Sequence, residues 1–165
     1  MSHLLTGIAK YEYGRVFGLH GKEENIVLMM QSLALKLTKI SPVILIDTNG
    51  SFTPQYYTKE AMKRIHIATP FTIEEFQSAI RRLRAAIEHS KAKVVLISSL
   101  DDLFMDRSIA PEDVDFMLGG ILDELLFLTE AHNLITLVGM THLTSDRAER
   151  IKNLIEPKLD FYGLI

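Results

Sequence analysis

The chain contains no cysteine among its 165 residues, and this absence removes two classes of site. Disulfide bonds cannot form, and there are no thiolate ligands for a metal ion. No run of about 20 apolar residues occurs, so the sequence predicts no membrane-spanning helix. The first residues, MSHLL, lack the basic segment and long apolar stretch of a signal peptide. We therefore expect a cytoplasmic protein.

Strong excess charge is also absent. The chain has 18 basic and 21 acidic residues, which gives a formal net charge of −3. This balance excludes the large, uniformly positive surface of a protein that binds nucleic acid through charge alone. A length of 165 residues suits one domain with a sizeable core, so we expect a single domain spanning residues 1–165.

Apolar runs alternate with amphipathic segments along the chain. Continuous apolar runs are typical of strands buried on both faces of a parallel sheet. The predicted strands cover residues 15–18, 43–47, 65–68, 93–98, 134–140 and 159–164. The predicted helices cover residues 24–39, 72–89, 111–132 and 145–155. This alternation predicts a doubly wound α/β domain with a mainly parallel sheet, whose functional sites lie at the turns after the strands.

Local signals mark the starts of three of the helices. Thr72 and Glu75 form a capping-box pattern, in which each side chain bonds to a free N–H group at the start of the helix. Pro111, followed by acidic residues, is typical of a first helical turn. Ser145 is the predicted cap of the last helix.

The most informative segment runs from Val43 to Pro54 and reads VILIDTNGSFTP. It resembles the strand-and-turn signature YIDTEGxFxP of the RecA/RadA recombinase family. Where that family carries its catalytic glutamate, this chain has Asn49. An amide cannot accept a proton from an attacking water, so the resemblance implies that the general base for ATP hydrolysis is missing.

The turn after the first strand reads GLHGKEEN, from Gly18 to Asn25. A phosphate-binding loop reads GxxxxGK[ST], and Gly18 matches its first glycine. The second glycine, the lysine and the hydroxyl residue are replaced by Glu23, Glu24 and Asn25. We favour a helix start that is stabilised by its own acidic residues. The alternative is that Lys22, after Gly21, acts as a displaced phosphate-binding lysine.

Further segments support the resemblance. Residues 4–8 and 13–18 resemble the family's entry into the strand before the phosphate-binding loop. Residues 93–98 are similar to the strand that carries the family's Walker B aspartate, but Ser98 stands at the position of that aspartate. Asp101 and Asp102 follow three residues later. We favour solvated loop carboxylates for them over a relocated metal site.

The strand that ends near Met140 resembles the one before the family's nucleotide-sensing turn. Thr141 and His142 stand at its Asn and Gln positions. His142 is a candidate sensor of a bound ligand or of pH, and the other interpretation is a plain loop histidine. A small metal site at this edge of the sheet is a minor alternative. Its ligands would be His20, Asp47, Asp102 and His142.

Two basic clusters are the candidate contacts for nucleic acid. They are Arg81, Arg82 and Arg84, and Arg147 and Arg150 with Lys152. We favour solvated helix faces with local pairs such as Arg84–Glu88, with weak phosphate contact as the alternative. Members of the family bind DNA through two loops. In this chain residues 105–108 are a short remnant of the first loop, and the second loop, expected after Thr141, is missing.

The resemblance covers residues 4–142 and implies a RecA-like core without a working phosphate-binding loop. It implies a protein that is not an enzyme and that holds no cofactor and no metal. Such a protein would bind a RecA/RadA-type recombinase, another RecA-fold paralogue or a second copy of itself, and so modulate homologous recombination or DNA repair. The alternatives are a single-stranded nucleic-acid-binding module, a nucleotide-binding regulator, and a metal-dependent enzyme of altered chemistry.

Overall fold

A computed structural model of the chain describes residues 13–142 and 144–163. In this part of the chain, six strands form one sheet in the order β3-β2-β4-β5-β1-β6, and every neighbouring pair is parallel. The strands are β1 (Arg15–His20), β2 (Val43–Ile46), β3 (Ile65–Ala68), β4 (Val94–Ile97), β5 (Ile135–Met140) and β6 (Asp160–Gly163). Residues 4–8, which entered the family resemblance, lie outside the described part of the chain, as does the predicted end of the last strand at Leu164.

Helices cover both faces of the sheet, which confirms the expected α/β class with a parallel sheet. The helices are α1 (Glu23–Leu37), α2 (Lys59–Met62), α3 (Ile73–Ser90), α4 (Pro111–Ala131) and α5 (Asp146–Ile155). Two hydrophobic clusters show the layering, with α1 and α2 on one face and the three later helices on the other. None of the helices in the described residues is both long enough and apolar enough to cross a membrane.

The central strands are apolar because both of their faces are covered. β2 reads VILI and β4 reads VVLI, and every residue of both strands is buried. Thr136 of β5 is a buried polar exception. Its hydroxyl bonds to that of Thr129 in α4 at 2.7 Å, so neither oxygen is left without a partner.

The predicted helix starts are confirmed by their hydrogen bonds. The hydroxyl oxygen of Thr72 accepts from the N–H of Glu75 at 3.1 Å. The carboxylate of Glu75 accepts from the N–H of Phe71 at 2.6 Å, so the capping box closes one residue earlier than the usual pattern. At α5, the hydroxyl oxygen of Ser145 accepts from the N–H of Ala148 at 3.0 Å.

Gly139 allows β4 and β5 to approach each other closely. A Cβ atom at this position would lie 2.2 Å from the carbonyl oxygen of Ser98 and 2.7 Å from a methyl carbon of Ile26. Gly120, in the middle of α4, differs because a Cβ atom there would meet nothing within 4 Å. Packing therefore requires a glycine at Gly139, whereas no described residue packs closely enough to require one at Gly120.

Alanine substitution at these two glycines is expected to have opposite effects. Gly139→Ala lowers the free energy of unfolding by about 1–3 kcal/mol, because the new methyl group overlaps the backbone. Gly120→Ala raises it by roughly 1 kcal/mol, because alanine favours the helix interior. Urea unfolding of both variants measures the difference. Equal effects of the same sign would contradict this account of packing.

Candidate functional site

The first strand passes into the first helix through only two residues. β1 ends at His20, Gly21 and Lys22 follow, and α1 begins at Glu23. Gly21 continues the strand pairing, since its N–H donates to the carbonyl of Met140 at 3.2 Å. A loop that wraps around phosphates needs several consecutive residues whose N–H groups point inward. The two-residue connection has no such loop.

Gly18 lies inside β1. We expected the first strand to end in a turn after Gly18, and that expectation is wrong. Gly18 is buried and pairs with Val138 of β5 and with Phe161 of β6. Because β1 has a neighbouring strand on each side, hydrogen bonding extends it to His20. Gly18 therefore matches the first glycine of the phosphate-binding motif in sequence but not in conformation.

The N-terminus of α1 is acidic and exposed. Glu23 and Glu24 occupy its first turn, and the cap residue Lys22 makes no side-chain capping bond. Carboxylates at this end offset the positive end of the helix dipole. The same charges repel an incoming phosphate. The start of α1 thus has the electrostatics of a self-stabilised helix end.

Asp47 closes the turn that follows β2. Its side chain is buried, with one oxygen accepting from the N–H of Ser51 at 3.0 Å and the other from the N–H of Phe52 at 3.0 Å. Gly50 has φ +64°, in the left-handed region that favours glycine. The carboxylate therefore holds residues 47–52 as a closed loop.

The two positions that the resemblance assigns to catalytic carboxylates are engaged in this loop. Asn49 Oδ1 accepts from the hydroxyl of Ser51 at 2.7 Å, while its buried Nδ2 has no hydrogen-bond partner among the described residues. Ser98 Oγ donates to Asp47 at 3.3 Å and accepts from the N–H of Thr48 at 2.9 Å. Asn49 and Ser98 thus support the loop around them.

Thr48 joins the turns after β2 and β4. Its hydroxyl oxygen accepts from the N–H of Ser99 at 3.0 Å, and its hydroxyl donates to the carbonyl of Ser99. Both residues are buried. A threonine in this position satisfies two backbone groups that water cannot reach.

Asp101 is fully buried, which corrects our expectation of a solvated loop carboxylate. One of its oxygens accepts from the hydroxyl of Ser99 at 2.8 Å and from the N–H of Thr141 at 3.1 Å. The other accepts from the N–H of His142 at 2.9 Å. Burying a carboxyl group is costly unless such bonds compensate. Asp101 therefore ties the turn after β4 to the turn after β5.

Asp102 and His142 form a half-buried pair at the same edge. The Nε2 atom of His142 lies 2.8 Å from Oδ1 of Asp102. Of the other two residues of the hypothetical metal site, Asp47 bonds to its own loop, and His20 is the last residue of β1. Within the described ranges, no group of three or more His, Asp or Glu side chains is arranged to hold a metal ion.

The basic clusters are largely used for internal contacts. The predicted pair Arg84–Glu88 is confirmed, with 3.3 Å between Nε and Oε1. Arg147 donates to the carbonyl of Phe104 at 2.6 Å and to that of Ile109 at 2.7 Å. It therefore fastens the segment between β4 and α4. The sequence carries no signal for this role, because a backbone carbonyl can accept from any donor that reaches it.

Arg150 is likewise paired. It makes two hydrogen bonds to the carboxylate of Asp115, at 3.0 and 2.6 Å, and these bonds hold the pKa of Asp115 below its usual value. Arg81 and Arg82 are exposed and make no ion pair with another described residue. Of the five candidate arginines, these two are thus the ones that no other described residue engages.

An apolar groove lies beside the edge strand β3, and sequence reasoning missed it. β3 pairs only with β2 in the described sheet, and the side chain of Phe71 just after it is 75% exposed. The groove has a volume of about 460 Å³. Its lining includes Ile44, Ile46, Ala68, Pro70, Phe71 and Arg82. Apolar residues of a groove and of a core look alike in a single sequence.

Tyr57 packs beneath the loop that Asp47 holds. Its ring stacks on Phe52 with 5.0 Å between centroids, and its hydroxyl donates to the carbonyl of Gln31 at 3.2 Å. Burial, together with the negative charge of Asp47, raises the pKa of Tyr57 from 10.0 to about 12.

No protein-family model matches the chain, and no curated protein matches it. The relation to the RecA/RadA family therefore stays a resemblance, carried chiefly by residues 43–54.

Replacing Asp101 by asparagine is expected to lower the free energy of unfolding by about 1–3 kcal/mol. Asparagine has one side-chain oxygen instead of two, so one of the donors that Asp101 binds would face an NH2 group and lose its acceptor. Asp102→Asn is the matched control. Asp102 is half-exposed, and its amide oxygen can still accept, so we expect a change within about 0.5 kcal/mol. Urea unfolding at neutral pH distinguishes the two variants, and equal losses would refute the special role of Asp101.

Alkaline pH is expected to destabilise the protein through Tyr57. The folded state favours the neutral phenol, so the contribution is complete below pH 10 and is lost as the pH rises from 10 toward about 12. Tyr57→Phe removes this dependence. The difference in unfolding free energy between wild type and Tyr57→Phe, measured from pH 8 to 11.5, isolates it from the lysines. A constant difference would contradict the prediction.

Proposed function

We propose that this chain is a non-catalytic accessory protein of RecA/RadA type that modulates homologous recombination or DNA repair through association with another protein. The observation that carries the proposal is the two-residue connection between β1 and α1. The resemblance requires a phosphate-binding loop there, and the chain has a strand that runs almost directly into an acidic helix end.

The residues at this edge do not fit a magnesium nucleotide. The start of α1 presents Glu23 and Glu24 where a glycine and a lysine would be needed. Ser98 and Asn49 bond to Asp47 and Ser51, and neither supplies a carboxylate. These contacts support a fold that is stabilised from within at the edge where a doubly wound domain normally binds its ligand.

The groove beside β3 supports association with a protein partner. The outer edge of β3 has no strand partner among the described residues, so its N–H and C=O groups can pair with an added strand. An extended segment of a partner would bond to this edge and place an apolar side chain in the groove next to Phe71. The partner that the resemblance favours is a RecA/RadA-type recombinase or another RecA-fold paralogue.

Phe71→Ser is expected to weaken binding of a RadA-type recombinase by about tenfold, because a central aromatic residue of an interface contributes more than 1 kcal/mol. Phe116→Ser is the matched control. Its side chain is even more exposed, at 84%, and it lies on α4, away from the groove. Biolayer interferometry with the full chain, with and without ATP, measures both variants. Absence of wild-type binding at micromolar concentration, or equal binding by Phe71→Ser, would refute the proposal.

A further inference from the structure

The outer side of α4 is an exposed face with aromatic residues. The side chain of Phe116 is 84% exposed and that of Phe127 is 58% exposed. They are eleven residues apart, which is close to three turns, so both lie on one stripe of the helix. Phe116 also lines a groove together with Met117 and Ile121, so its ring belongs to a larger apolar surface of the kind that marks an interaction site.

Gly119 and Gly120 lie between these two aromatic residues. Glycine in a helix interior disfavours the helix, and packing within this chain does not require either residue, since a Cβ atom at each would meet nothing within 4 Å. The pair leaves a notch in the exposed stripe. The notch continues into a groove between α3 and α4 whose walls include Ile80, Met117 and Ile121.

The two walls of this groove carry opposite charges. Three acidic residues of α4 line the groove. Asp115 is paired with Arg150 and Asp123 with Lys158, whereas Glu124 makes no ion pair with a described residue. The opposite wall carries Arg81 of α3, which is exposed and forms no ion pair with a described residue. A purely basic partner would be repelled by Arg81, and a purely acidic one by α4. The groove therefore fits a partner that presents an acidic residue opposite Arg81 and a basic residue opposite α4.

We propose that this groove is the interface of a symmetric dimer of the chain. A two-fold axis along the groove places α3 of each copy against α4 of the other, so that Arg81 of one copy meets Glu124 of the other. Such an isologous contact is self-complementary by construction. The exposed rings of Phe116 are then covered at the centre of the interface. This inference is independent of the proposed function, because the groove beside β3 lies elsewhere.

Sedimentation equilibrium of the full chain from 1 to 500 µM tests the dimer. Wild type is expected to show a concentration-dependent dimer. Phe116→Ser and Arg81→Glu each raise its dissociation constant by about tenfold. The double variant Arg81→Glu/Glu124→Arg exchanges the charges and restores the wild-type value to within about threefold.

Phe71→Ser is the control and leaves the dimer unchanged. A monomer at every concentration overturns the proposal, as does a dimer that Phe116→Ser and Arg81→Glu do not weaken. A dimer that dissociates with Phe71→Ser alone also overturns it, because the interface would then be the groove beside β3. Circular dichroism of each variant confirms that the fold is kept, since all of the altered side chains except the half-buried Glu124 are exposed.

Discussion

Two buried carboxylates, those of Asp47 and Asp101, hold the carboxyl edge of the sheet together. Each accepts hydrogen bonds from backbone N–H groups of the turns that leave the strands, and Asp101 joins the turns of two different strands. An apolar parallel sheet leaves the N–H groups of its turns without sheet partners, and those that are buried must be satisfied. The carboxylates meet this requirement within the chain.

This internal bonding bears on function because it occupies the place where a doubly wound domain normally binds its ligand. Ser98 and Asn49 face inward to the loop of Asp47, and the acidic start of α1 lies at the same edge. We propose that the scaffold serves to bind partners through its exposed grooves beside β3 and between α3 and α4.

Periodicity and capping residues predicted the strands and helices well, because they depend on local sequence. The capping box of Thr72 and the ion pair of Arg84 with Glu88 are contacts between residues three or four apart. The burial of Asp101 and the bonds of Arg147 could not be predicted in this way. Both depend on backbone groups about 40 residues distant, which a single sequence does not place. The extension of β1 past Gly18 likewise depends on strands β5 and β6, which follow much later in the chain.

A thermal melt with and without millimolar Mg-ATP and Mg-ADP shows whether this edge of the sheet accepts a nucleotide. A ligand that binds only the native state raises the Tm in proportion to its occupancy. Because the edge is occupied by internal hydrogen bonds and acidic residues, we expect no change in Tm with either nucleotide. A concentration-dependent rise of several degrees that is lost in Lys22→Ala would contradict it, and would show that Lys22 holds a phosphate at the start of α1.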